Sequence, residues 1–157
     1  MSEYILDLRK LVGHRPLLQV GASVLLEDEQ GRLLLQRRAD CHLWGYHGGS
    51  VELDEVVEEA ARRELWEETG IRADSWTDMG LYYPAAAYSD EKITMYLAQG
   101  LHMGEQHLDD DEFLNVELVP IEDVVEEIVS GRITDGKTQA AVLKASALLK
   151  KQKEQET

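Results

Sequence analysis

Apolar positions along the chain change period several times, and each change marks an element. Tyr4, Ile5, Leu8, Leu11 and Val12 recur at helical spacing and stop at Gly13, which predicts a short N-terminal helix and an arm over residues 1–18. Gln19 to Leu26 reads as a strand, Glu29-Gln30-Gly31 as a turn, and Leu33-Leu34-Leu35 as the returning strand of a hairpin. Leu43 to Ser50 predicts a strand end running into a Gly-rich loop, and Asp54 to Thr69 a helix capped by Asp54 and stopped by Gly70. Trp76 to Tyr83 and Lys92 to Leu101 are β-like, a loop spans Gly104 to Glu112, and Phe113 to Val119 alternates as a strand. Pro120 is expected at the first position of an amphipathic helix over Ile121 to Val129, with Val124, Val125, Ile128 and Val129 inward. A last helix runs from about Asp135 to Lys151, burying Val142, Leu143, Leu148 and Leu149 or covering a dimer face, and the polar tail from Lys150 is expected to fray. Helices and strands are mixed without strict alternation, which fits an α/β (α+β) fold, an α/β/α sandwich on a mixed sheet.

One helix breaks the amphipathic rule. At about 100° per residue, Val56, Val57, Ala60, Ala61 and Leu65 form its inward half, and Glu58, Glu59, Arg62, Arg63, Trp66 and Thr69 its outward half. Glu64, Glu67 and Glu68 also fall inward, spaced i, i+3, i+4 on one patch. Carboxylates crowded together there repel one another and lose hydration, so a cation belongs among them. Arg63 is the guanidinium in helical reach of Glu67, and one guanidinium does not neutralise three anions. A hard divalent cation, Mg²⁺ or Mn²⁺, suits a small set of oxygen ligands that leaves water positions open.

Composition narrows the chemistry. The chain has 157 residues, suited to a single domain over 1–157, with 31 acidic against 16 basic residues and a formal charge of −15. That field disfavours a nucleic-acid polymer as partner, which needs a basic footprint. A small anionic substrate needs a metal or local arginines to reverse the sign at the site. Cys41 has no second cysteine to pair with. No apolar run reaches membrane-spanning length, and the first ten residues lack a signal-peptide pattern, so a cytoplasmic location is expected.

The spacing Gly49-x5-Glu55-x7-Arg63-Glu64-Leu65-x-Glu67-Glu68-x-Gly70-Ile71 resembles the Nudix box at every fixed position. The resemblance implies a Nudix hydrolase: an α/β/α sandwich that uses metal ions to cleave a nucleoside diphosphate linked to another moiety. By that resemblance Glu64 and Glu68 are metal ligands, Glu67 is a third ligand or the base for water, and a backbone carbonyl of Gly48 or Gly49 completes the sphere. Arg63 orients Glu67, and Glu55 is a structural partner of the loop.

Two stretches refine the expectation in different directions. Gly21 to Gly49 resembles mutator-type members that hydrolyse nucleoside triphosphates. Tyr82-Tyr83-Pro84, Ser89-Asp90-Glu91, the acidic run Asp109 to Glu112 and Asp135-Gly136-Lys137-Thr138 resemble ADP-ribose pyrophosphatases. In those an acidic residue of the run is the general base, which falls on Asp110, with Asp111 and Glu112 adjacent. Many of them are homodimers. The pattern departs at Ala86, where those enzymes carry a proline, and at Tyr46-His47, where Leu-Pro is usual before the two glycines. Arg37 or Arg38 could meet an anionic substrate, His47 a phosphate or metal, and Trp44, Tyr83 or Tyr88 a base. His14, His42, His102 and His107 show no metal spacing. The expectation is a Mg²⁺-dependent pyrophosphohydrolase for ADP-ribose or a related nucleoside diphosphate sugar. The alternatives are a house-cleaning triphosphate pyrophosphohydrolase and a nucleotide-sensing module that binds without cleaving.

Overall fold

A computed structural model describes the chain except residues 1–2, 16–17, 38–42, 88–89, 105–114 and 156–157. In chain order the elements are α1 (Glu3–Val12), β1 (Val20–Glu27), β2 (Arg32–Arg37), β3 (Trp44–Gly45), β4 (His47–Ser50), α2 (Val57–Thr69), β5 (Arg72–Tyr82), β6 (Lys92–His102), β7 (Asn115–Pro120), α3 (Ile121–Val129) and α4 (Gly136–Gln155). All seven strands join one mixed sheet. β1 lies at its centre, parallel to β6, and β5 pairs antiparallel on the far side of β6.

The sheet forks on the other side of β1. β1 and β2 pair antiparallel at Leu26–Leu34 and Glu27–Leu33. Beyond that point β1 pairs with β4, from Gly21–Ser50 to Val24–His47, while β2 pairs with β3 at Gln36–Gly45 and Arg37–Trp44. The segment from Trp44 to Ser50 therefore fills the gap between two diverging strands. β7 runs along the whole of β2.

Alternation along these strands serves a core on each face. Ala22, Val24, Leu26, Leu34, Tyr96 and Ala98 pack with Ala60, Ala61 and Leu65 of α2. Leu25, Leu33, Leu35, Met95 and Leu97 pack with Val124 and Ile128 of α3 and Ala141, Val142, Ala145 and Leu149 of α4. These two layers of helix around one sheet are the expected α/β/α sandwich.

Several boundaries differ from the sequence reading. α2 begins at Val57 with Val56 at its N-cap, and Asp54 lies in the preceding turn with φ 61°. Asp54 does not cap because Glu55 folds back to accept the Glu52 N–H at 3.0 Å, which holds the chain in a turn there. Gly48 and Gly49 belong to β4 rather than to a loop. Thr69, placed outward by the wheel, is buried: its hydroxyl donates to the Leu65 carbonyl at 2.6 Å and accepts from the Ile71 N–H at 3.1 Å. Pro120 is the N-cap of α3, extended at φ −51° and ψ 136°, not its first helical residue. α4 continues to Gln155 through the stretch expected to fray, with those last residues exposed. Val129 is 78% exposed and Leu143 43%, so neither is a core position, while the small residues Ala141 and Ala145 let α4 lie close to the sheet.

This assignment has a direct test in urea denaturation. Ile128→Ala should cost about 2–5 kcal/mol, the range for emptying a packed aliphatic site. Val129→Ala, one residue on, should stay within about 0.5 kcal/mol of the parent.

Candidate active site

α2 presents its carboxylates to β4 because strand and helix advance nearly in step. Two strand residues span about 6.6 Å and four helical residues about 6 Å, so alternate residues of β4 meet every fourth residue of α2. His47 and Gly49 are opposite Val24 and Ala22 of β1, which belong to the core beneath α2. Gly49 lies against Glu64: a Cβ built there would collide with the Glu64 carboxylate. His47 lies against Glu68, with Nδ1 3.1 Å from Oε2. At Gly48, φ of 150° and the close approach of the β1 backbone both exclude a side chain.

Arg63 organises the carboxylates. Its Nε and Nη2 donate to the two oxygens of Glu55 at 2.8 and 3.0 Å, and Nη2 also donates to the Ser50 carbonyl at 3.0 Å. Nη1 donates to Glu64 at 2.9 Å and to Glu67 at 3.1 Å. These bonds hold Glu55 below the usual carboxylate range and the guanidinium above its own. Burial pushes Glu64 upward, and the Arg63 hydrogen bond opposes that shift. The side chains of Glu64 and Glu68 are 17% and 15% exposed, whereas that of Glu67 is 54% exposed. Glu67 thus stands at the rim rather than inward, a correction to the helical wheel, because it shares an edge of the inward arc with Val56, which is itself 59% exposed.

A cavity of about 440 Å³ opens beside Glu68. Its walls are the ends of the forked strands, the Trp44–Ser50 segment and the start of α4. Trp44, Tyr46, Gly48 and Gly49 line it, as do Gln19, Ser23, Gln36, Glu91 and Lys137. Ser23 donates to the Tyr46 phenol at 2.9 Å, and burial pushes that phenol up to about 12, so it keeps its proton. Asp135 caps α4 by accepting from the Thr138 N–H and hydroxyl at 2.8 and 2.7 Å. The Asp-x-Lys-Thr motif is therefore a helix start that carries Lys137 to the cavity.

The structure gathers Glu64, Glu68, Gly48, Gly49, Arg63, Trp44 and His47 at this corner, with Glu67 at its rim. His47 is fully buried, in contact with Glu68 of α2 and lining the cavity. Arg37 and Tyr83 do not line the cavity: Arg37 is exposed over the Trp44 ring, and Tyr83 is 46% exposed beside Lys92. Arg38, Tyr88, Asp110 and Glu112 lie outside the described residues. Gln36, Tyr46 and Ser23 were missed. A signal existed for Gln36, a polar residue in the inward alternation slot after Leu34.

The donor set suits a hard divalent cation. Two mostly buried carboxylates lie against β4, Glu64 in the space left by Gly49 and Glu68 beside His47. Among the described residues no three His, Cys, Asp or Glu side chains form a ready cage, since Arg63 draws Glu64 and Glu67 to itself. A cation held by Glu64 and Glu68 would keep several waters, as Mg²⁺ does.

A mixed sheet between helices, with a carboxylate helix laid on a Gly-Gly strand at a cavity, defines a class that sequence comparison identifies. The NUDIX domain model matches residues 17–141, and the chain belongs to that family. It is a pyrophosphohydrolase, of a family that acts on small nucleotides and generally uses divalent metal ions. An ADP-ribose pyrophosphatase of Bacillus subtilis (strain 168) is 36% identical over 126 residues, 76% of this chain and 68% of that protein. A MutT-like protein of Streptomyces ambofaciens is 46% identical over 67 residues, 43% of this chain and 44% of that one. In fold, an ADP compounds hydrolase superposes with a TM-score of 0.77 at 24% identity, covering 88% of this chain and 76% of that one. A MutT NUDIX hydrolase from Burkholderia pseudomallei gives 0.64 at 24% identity, covering 82% and 98%.

Two substitutions probe this geometry. Gly49→Ala should displace the Glu64 carboxylate and lower turnover by about 10²-fold, as misplacing a reacting group by an ångström does. Glu55→Gln should destabilise the protein near pH 7 by about 1.5–3 kcal/mol, the worth of charge-assisted hydrogen bonds. The Glu55 carboxyl is held below its ordinary 4.5, so its stabilisation is complete above that pH and lost as pH falls through the folded value. Denaturant midpoints of parent and variant should therefore converge in acid.

Proposed function

We propose that the protein is a Mg²⁺-dependent hydrolase of the pyrophosphate bond in ADP-ribose or a related nucleoside diphosphate sugar. The observation that carries this reading is the pair Glu64 and Glu68, mostly buried against a glycine strand beside a cavity that Lys137 and Trp44 also line. The 36% identical ADP-ribose pyrophosphatase, matched over 76% of this chain, supports the choice of substrate.

Glu64, Glu68 and a backbone carbonyl of Gly48 or Gly49 would hold the cation. When bound, it supplies charge neutralisation on the pyrophosphate and acidification of water. The chain's own residues do the rest. Arg63 restrains Glu64 and Glu67 in place. Lys137 offsets substrate charge, and Trp44 offers a ring face to the base or sugar. The base that takes the proton from the attacking water is an acidic side chain. It is Glu67 at the rim, or Asp110 or Glu112 of the stretch outside the described residues. Glu67→Gln, Asp110→Asn and Glu112→Gln, assayed side by side, assign it by which one loses turnover.

The 46% identity over 67 residues to a MutT-like protein favours one other reading, cleavage of nucleoside triphosphates. A homodimer, implied by the family resemblance, belongs to the same proposal and is read by sedimentation.

Chromatography of the products separates the substrates. With Mg²⁺, ADP-ribose should yield AMP and ribose phosphate, and Glu68→Gln should nearly abolish this while the protein stays folded by circular dichroism. Pyrophosphate release from triphosphates alone would replace the first reading with the second. Full activity in Glu68→Gln would remove the metal assignment.

A further inference from the structure

His47 is wholly buried on β4, facing α2, yet it touches the carboxylate that stands at the cavity. An ionised carboxylate only accepts hydrogen bonds, so the 3.1 Å contact from Nδ1 to Glu68 Oε2 requires the proton on Nδ1. Nε2 is buried with no hydrogen-bond partner among the described residues. The ring cannot turn to exchange its nitrogens without breaking the contact to Glu68. Along the same step of β4 against α2, Glu64 is accommodated by the space at Gly49 and tethered by Arg63. The five donor bonds of Arg63 go to Glu55, Glu64, Glu67 and Ser50. The two inward carboxylates thus have different partners among the described contacts, Glu64 a guanidinium and the space at Gly49, Glu68 an imidazole.

We propose that His47 is a positioning residue for the metal site, its Nδ1–H fixing the Glu68 carboxylate in the orientation that receives the divalent cation. The inference rests on the reading of Glu68 as a metal ligand. A partner that orients a metal ligand typically contributes about 10- to 100-fold in metal affinity. A residue that only filled space between β1 and α2 would contribute none.

The test is equilibrium binding of Mn²⁺, followed by the electron paramagnetic resonance of the free ion, in the absence of substrate. His47→Phe keeps the ring and removes the donor. His47→Asn places an amide nitrogen near the Nδ1 position, and His47→Gln places one near Nε2. Mn²⁺ affinity should fall by about 10- to 100-fold in His47→Phe and in His47→Gln, and His47→Asn should recover most of it. Thermal melts without metal report folding separately. Should the phenylalanine variant not fold, the asparagine–glutamine comparison still decides. Parental affinity in His47→Phe, or equal loss in the asparagine and glutamine variants, would overturn the assignment of Nδ1. Glu68→Gln is the control for the reading beneath it. If the parent binds no Mn²⁺, or Glu68→Gln binds it as tightly, the metal reading and this inference fall together. If Glu68→Gln loses binding while His47→Phe does not, this inference alone fails.

Discussion

Arg63 is the group on which this corner of the molecule depends. Three glutamates within five residues of one helix would repel one another, and two of them are mostly buried. A guanidinium can meet several carboxylates at once because its five donors lie in a fixed planar fork. Here the fork reaches Glu55 before the helix, Glu64 and Glu67 along it, and the Ser50 carbonyl of the adjacent strand. It therefore ties β4, the connecting turn and α2 into one piece. A lysine has the charge but not the geometry, so the arginine in this spacing is a structural requirement of the carboxylate cluster.

The fork in the sheet is the second constraint, and it makes the first one useful. Had β1 and β2 stayed paired along their length, the Trp44–Ser50 segment would have had no edge to join. Their divergence after Leu26 and Leu34 leaves both strands with open hydrogen-bonding edges, and β3 and β4 satisfy them. The same divergence makes room for the cavity. Glycine is needed twice in this insertion, at Gly48 for a backbone angle and at Gly49 for the space that Glu64 occupies.

Much of this was legible in the sequence, for physical reasons that differ by element. Helix period, strand alternation and the Gly13 and Gly70 stops are local, and they predicted α1, the β1–β2 hairpin and the body of α2. The spacing of Glu64, Glu67 and Glu68 marked a carboxylate cluster in need of a counter-charge, and Arg63 stands beside Glu64 and Glu67, with Glu67 exposed rather than inward. What was not legible depended on partners distant in sequence. His47 was legible only as a group that could meet a phosphate or metal, because its partner Glu68 lies 21 residues away. Thr69 falls at the outward edge of the wheel, but it lies one turn beyond inward Leu65 and its hydroxyl bonds back to the Leu65 carbonyl. Gly48-Gly49 resembles a loop because their pairing partner, β1, lies more than twenty residues upstream. Val129 and Leu143 are apolar at helical spacing, yet Val129 stands largely in solvent and Leu143 is partly exposed.

The acidity of the chain bears on the site less through its total than through its distribution. At physiological salt, charges more than about 8 Å from the site are largely screened, so most of the −15 does not act there. What a pyrophosphate meets are the described lining residues of the cavity, which include the acids Glu68, Glu91 and Asp135 and the base Lys137. Asp135 is occupied with capping α4, which softens its field without removing its charge. The local sign is still negative, and a substrate of the same sign would be repelled by it. Under the proposed reading, divalent cation is therefore needed to admit the substrate as well as to activate water. On that reading one excess of carboxylate both attracts the ion and makes the ion indispensable, so that a site for an anion is built from acids.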